Sequence, residues 1–86
     1  MKPKYTVVLS RQTERFYKKS EEKDKTALRE CLISLENDAY VGKRLHGDLK
    51  ENYSLRVGKS RILYTVSEKD KIIFIIAVGP RKNVYQ

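Results

Sequence analysis

Tyr53-Ser54-Leu55-Arg56-Val57-Gly58-Lys59-Ser60-Arg61-Ile62-Leu63-Tyr64-Thr65-Val66 is the stretch that decides how this chain folds. It reads as two short strands, rich in β-branched and aromatic residues, parted by a turn that contains a glycine. With Lys59-Ser60 as a two-residue loop, Val57 opposes Ile62, Leu55 opposes Tyr64 and Tyr53 opposes Val66. These apolar side chains then share one face, as register in a half-buried sheet demands. Ser54 and Arg56 fall on the opposite face with Arg61, Leu63 and Thr65. A three-residue loop would mix Arg61 with the apolar set, so the two-residue register is the better choice. Guanidinium groups gathered on one face of a small sheet point to a phosphate-binding surface.

Downstream, Lys69-Asp70 marks a turn into Ile72-Ile73-Phe74-Ile75-Ile76-Ala77-Val78. That run is apolar on both faces, which predicts an interior strand with helices over one side. Its other side is expected to carry Phe74, Ile76 and Val78 beside the arginines, an apolar floor of the kind a partner covers. Arg81 follows through Gly79-Pro80, and Tyr85 is the penultimate residue.

Upstream, Tyr5-Thr6-Val7-Val8-Leu9 reads as a first strand. Ser10 is placed to cap a helix through about Lys19, with Phe16 and Tyr17 facing inward. Ser20 offers a second cap, and Glu21, Glu22 and Asp24 suit the positive end of the next helix. Ala27, Leu28, Cys31, Leu32 and Leu35 make a stripe along that helix, which Asn37-Asp38 ends. Two helices joined so closely form an antiparallel hairpin with one apolar side. Gly42 and Gly47 then bracket a basic connection, Lys43-Arg44-Leu45-His46, before Leu49-Lys50-Glu51 leads into the strands. The expected fold class is α+β: an N-terminal strand, a helix hairpin, then a mainly antiparallel sheet of three further strands.

Eighty-six residues bound the expectation to a single domain, 1–86. No apolar run is long enough for a membrane span, and Met1-Lys2-Pro3-Lys4-Tyr5 lacks the apolar stretch of a secretion signal, so a cytoplasmic protein is expected. Cys31 is the only cysteine, which rules out an internal disulfide and a multi-cysteine metal cage, and its neighbours predict burial as a small hydrophobe. His46 is the only histidine and has no partner at ligand spacing, so no metal or other cofactor is expected and no His-based triad is assembled. The formal net charge is +8, and residues 42–86, with 10 basic and 4 acidic side chains, hold most of it. A lysine-rich surface that serves solubility explains the charge alone equally well. Arginines inside strands do not follow from solubility, and they turn the balance toward a polyanion partner.

Lys43-Arg44-Leu45-His46-Gly47-Asp48-Leu49, then Tyr53 through Tyr64, then Val78-Gly79-Pro80-Arg81-Lys82-Asn83-Val84-Tyr85 together resemble the RelE/ParE toxin superfamily, on its RelE side. The leading strand and helix pair fit as well, so the resemblance spans essentially the whole chain. It implies the toxin of a type II toxin–antitoxin pair, a metal-independent endoribonuclease that cuts messenger RNA in the ribosomal A site and so inhibits translation. By position, Arg61 and Arg81 match the family's paired arginines, Arg56 a basic position on the preceding strand, and Tyr85 the terminal tyrosine. Lys43, Arg44, Lys50, Lys59 and Lys82 are assigned to attraction of ribosomal RNA. The family's ribonucleases often carry a lysine where this chain has Ser54. The implied partners are a small RelB-like antitoxin, the ribosome and mRNA, with the toxin monomeric alone and hetero-oligomeric with its antitoxin. Two alternatives stay open: a non-nucleolytic ParE-like inhibitor of DNA gyrase, and a weak or inactive relative that serves as an antitoxin-binding module.

Overall fold

The computed structural model describes residues 4–44 and 52–80. A first strand β1 (Thr6–Leu9) leads into helices α1 (Arg11–Lys19) and α2 (Glu22–Asn37). Strands β2 (Lys43–Arg44), β3 (Asn52–Val57), β4 (Ser60–Ser67) and β5 (Ile72–Pro80) follow. The strands make one sheet in the order β1-β5-β4-β3-β2. All neighbours run antiparallel except β1, which lies parallel to β5. The α+β class and the order strand, helix pair, sheet are those read from the sequence. Strand β2 is an addition: it was expected to be connection, and its two residues are too few to leave an alternating pattern.

Ser10 caps α1, its Oγ accepting from the Thr13 amide at 3.2 Å. Lys18 and Lys19 in the last turn oppose the negative end of the helix dipole. Ser20 does not cap α2, contrary to expectation. It closes α1 instead, its hydroxyl donating to the Phe16 carbonyl at 2.6 Å, and Glu21 takes the α2 cap position without a side-chain bond. A serine one turn past a helix interior meets unpaired carbonyls behind it before free amides ahead, and here the carbonyl wins. The hairpin is tied by Arg29, whose Nη2 donates to the Tyr17 hydroxyl at 2.8 Å, and by Lys25 above the Tyr17 ring.

The helices cover one face of the sheet. Leu28 and Leu35 of α2, with Ala39, pack on Val57, Ile62, Tyr64, Ile73, Ile75 and Val78. Phe16 and Tyr17 are half-buried against this core, while the α1 side chain sealed within it is Thr13, whose hydroxyl reaches the Ile75 carbonyl. Cys31 is half-buried and desolvation pushes its thiol up to about 11, so it packs as an uncharged small side chain.

Two details of the strands differ from expectation. The β3–β4 loop is Gly58-Lys59, not Lys59-Ser60: Val57 faces Ser60, Leu55 faces Ile62 and Tyr53 faces Tyr64. Gly58 has φ 59°, the conformation a tight hairpin asks of its first turn residue and one that glycine adopts without strain. The slip is two residues, an even number, so every side chain keeps its assigned face. On β5 the pairing breaks between Leu63 and Tyr64, whose partners are Ala77 and Ile75, leaving Ile76 unmatched. This bulge inverts the alternation beyond it. Val78 therefore turns into the helix-covered core at 2% exposure instead of joining Phe74 beside the arginines.

The bulge begins where β1 ends, and α1 takes over as the neighbour of β5. The Ser10 amide donates to the Ile75 carbonyl and its hydroxyl to the Ile76 carbonyl, at 3.0 and 2.8 Å. The Gln12 amide group then pairs with Val78 as a strand would: Nε2 donates to its carbonyl at 2.8 Å and Oε1 accepts from its N–H at 2.9 Å.

Candidate functional site

The face opposite the helices presents Lys43 on β2, Ser54 and Arg56 on β3, Arg61, Leu63 and Thr65 on β4, and Phe74, Ala77 and Gly79 on β5, aligned across the strands. Arg56 and Arg61 are direct cross-strand partners beside the Gly58-Lys59 turn. Like charges set opposite each other are unfavourable by some fraction of a kcal/mol, so this pairing is not explained by stability. Arg56 is exposed and Arg61 half-buried.

The Arg61 side chain leaves its cross-strand partner and leans along the diagonal. Its Nη1 donates to Ser54 Oγ at 3.3 Å, and Ser54 is 2% exposed. The Arg61 Nε is buried and has no hydrogen-bond partner among the described residues. An unmet buried donor costs on the order of 1–3 kcal/mol. On the β5 side, the residue facing Arg61 is Gly79, which puts no side chain in the way. Two guanidinium groups carried side by side on one face are the chemistry that suits a phosphate oxyanion.

The structure brings together some of the expected site residues and separates others. Arg56 and Arg61 are adjacent, and Lys43 lies on the same face, directly across from Ser54. Arg44 pairs with Tyr53 and belongs to the other side of β2, where it lines a shallow groove of about 330 Å³ with Tyr40, Tyr53, Thr65 and Val66. Lys59 stands exposed at the hairpin tip. Lys50, Arg81, Lys82 and Tyr85 lie outside the described residues, as does His46. Pro80, which precedes Arg81 in the chain, is paired with Ser60 next to Arg61. No group of three or more His, Cys, Asp or Glu side chains that could hold a metal ion occurs among the described residues.

Sequence reading put Ser54 on the arginine face but treated it only as a departure from a family pattern. Its contact with Arg61 became visible through side-chain direction, for which spacing carries no signal. Lys43 across from Ser54 was likewise hidden, because the pairing of a two-residue strand depends on tertiary closure.

A second polar cluster sits at the far end of the sheet. Glu68 accepts from Lys71 at 2.6 Å, from the Tyr5 hydroxyl at 2.7 Å and from the Tyr40 hydroxyl. These donors, Lys71 first, hold its carboxyl down at about 2. The same hydrogen bonds push the Tyr5 and Tyr40 hydroxyls up. Tyr40 meets Tyr53 edge to face, and Tyr53 stacks on Tyr64, with centroids 5.5 and 5.4 Å apart. Burial, opposed by the Gly42 amide, pushes Tyr64 up to about 12. Its hydroxyl therefore stays protonated, donating to the Ala39 carbonyl at 2.8 Å and accepting from the Gly42 N–H at 3.0 Å.

Opposed arginines on the sheet face away from the helices, in a strongly basic chain, mark a small basic α+β protein. Residues 7–86 match the family model of ParE-like toxins of type II bacterial toxin–antitoxin systems, and the chain belongs to this family, within the RelE/ParE superfamily. A chain of the RelBE2 toxin–antitoxin complex from Mycobacterium tuberculosis is 28% identical, with a TM-score of 0.81 over 92% of this chain and 99% of that one. One from the archaeal RelE–RelB complex of Pyrococcus horikoshii is 25% identical, with a TM-score of 0.76 over 93% and 98%. The isolated Escherichia coli RelE toxin, 21% identical, shares the fold with a TM-score of 0.75 over 94% and 90%. No curated protein sequence matches the chain.

Proposed function

We propose that this toxin is a ribosome-dependent endoribonuclease that cuts mRNA in the ribosomal A site and thereby inhibits translation. The observation that carries the reading is the opposed pair Arg56 and Arg61 on the sheet face away from the helices. Cleavage needs the 2′-oxygen to lose a proton and attack phosphorus, and the 5′-oxygen to leave with a proton, giving a 2′,3′-cyclic phosphate and a 5′-hydroxyl. Negative charge grows on the phosphorane oxygens between these events. Guanidinium groups aimed at that charge lower the barrier, and donors fixed in advance are often the largest catalytic contribution. Arginine, with a pKa above about 12, does not move protons at neutral pH. Arg56, Arg61 and Arg81 are thus clamps, and Tyr85 is assigned the 2′-hydroxyl proton. Lys43, Arg44, Lys50, Lys59 and Lys82 draw the toxin to ribosomal RNA. A site of this kind gains most when its substrate is already oriented, which is the role given to the ribosome. The M. tuberculosis and P. horikoshii structures are toxin–antitoxin complexes, so a small antitoxin is the inferred partner, in the cytoplasm.

Primer extension on mRNA translated with the purified toxin should map cuts within codons. Arg61→Ala should lower cleavage by about 10²–10³-fold. Undiminished cleavage by that variant would sink the reading. The family's ParE-like description supports a second reading, inhibition of DNA gyrase. Loss of supercoiling in a purified gyrase assay, with mRNA intact, would establish it in place of the first.

A further inference from the structure

We propose that Ser54 is the positioning residue of this site, holding the Arg61 guanidinium diagonally across β3 and β4 so that Arg56 and Arg61 act as two separate clamps on one phosphodiester. The inference rests on the reading of Arg61 as a phosphate clamp.

The argument begins with the register. Arg56 and Arg61 are directly opposed, and side chains so placed point the same way from Cα atoms about 4.5–5.5 Å apart. Left to themselves, two guanidinium groups there would splay into solvent in many directions. Ser54 is two residues before Arg56 on β3, so it is the diagonal neighbour of Arg61, within reach of a long side chain. Its oxygen accepts from Arg61 Nη1 at 3.3 Å, and Ser54, at 2% exposure, is itself shielded from water. One bond to a planar group, with Nε turned inward, sets the plane of the whole fork.

The chemistry of position 54 supports this assignment. Serine is short and neutral, and its hydroxyl oxygen can accept from a guanidinium. A cation there would add a fourth positive charge to two arginines and Lys43, which pairs across from it. An alanine would remove the acceptor that Arg61 Nη1 uses. On its β5 side Arg61 faces Gly79, which adds no side chain of its own at that register position.

The test uses the full chain, 15N-labelled, with the Arg61 Nε–Hε resonance assigned by its loss in Arg61→Ala. In the unmodified protein, that resonance should show slow guanidinium rotation. Ser54→Ala should bring fast rotation and lower ribosome-dependent cleavage by about tenfold in protein that circular dichroism shows to be folded. Ser54→Thr, which keeps a hydroxyl, should restore both. Fast Arg61 rotation in the unmodified protein would overturn the proposal, and that measurement stands even if Ser54→Ala fails to fold. Wild-type cleavage by Ser54→Ala, or a loss of cleavage with Arg61 rotation still slow, would overturn it equally. Arg61→Ala separates the two readings. If Arg61→Ala cleaves normally, the clamp itself falls. If it is inactive while Ser54→Ala is fully active, only the positioning role falls.

Discussion

Gly42 shows how little space single residues have in this fold. A Cβ built there would stand 2.6 Å from the Tyr64 hydroxyl and 2.8 Å from the Ser54 carbonyl oxygen. The second of these is backbone and cannot swing away. The hydroxyl is fixed as well, between the Ala39 carbonyl and the Gly42 amide. Gly42→Ala should therefore destabilise the protein by roughly 1–3 kcal/mol, the usual range for overpacking. Chemical denaturation would measure it, and an unchanged midpoint would contradict the account. Because the obstructed carbonyl belongs to Ser54, the same substitution should also disturb the strand that presents Ser54 and Arg56.

At the scale of elements, the notable feature is a helix standing in for a strand. β1 ends at Leu9, and β5 runs on to Pro80 with its next neighbour missing. Ser10 and Gln12, the cap and second residue of α1, fill that place with side-chain hydrogen bonds to Ile76 and Val78. This allows β5 to bulge at Ile76 without leaving its polar groups bare, and it turns Val78 into the core. Gln12→Ala removes both bonds to Val78. Amide hydrogen exchange at Val78 should then speed up by about tenfold, for a loss of roughly 1–1.5 kcal/mol of local protection. Exchange as slow as in the wild type would show that the Gln12 pairing contributes nothing.

Across the whole molecule, Glu68 joins segments distant in sequence. Tyr5 precedes β1, Tyr40 lies between α2 and β2, and Lys71 immediately precedes β5; all three donate to one carboxylate. That carboxyl has a folded value of about 2 against an ordinary 4.5. The folded state thus holds its proton less readily than the unfolded chain, so the cluster's stabilisation is complete above about pH 4.5 and is lost as pH falls toward about 2. Glu68→Gln should lower the melting temperature near neutral pH. The gap between wild type and variant should narrow as pH falls through that window. A gap that stays constant down to pH 2 would mean the charge on Glu68 is not what joins these segments.

Local pattern alone determined β1, the two helices and strands β3 to β5, and the faces of the β3–β4 hairpin. Alternation in Tyr53–Val66 separated Arg56 and Arg61 from the apolar set, and that separation survived a two-residue slip because strand side chains repeat every second position. The stripe from Ala27 to Leu35 likewise marked α2, since helical spacing repeats within a few residues. Tertiary structure decided what depends on residues far apart in the chain. It set β1 parallel to β5, inverted the alternation at Ile76 and paired Lys43 with Ser54. It also brought the Arg61 guanidinium to Ser54. The physical reason is that residue spacing fixes only the side of a strand from which a side chain departs. Where that side chain ends, and which donor is left without an acceptor, follows from packing among strands that only the closed sheet brings together.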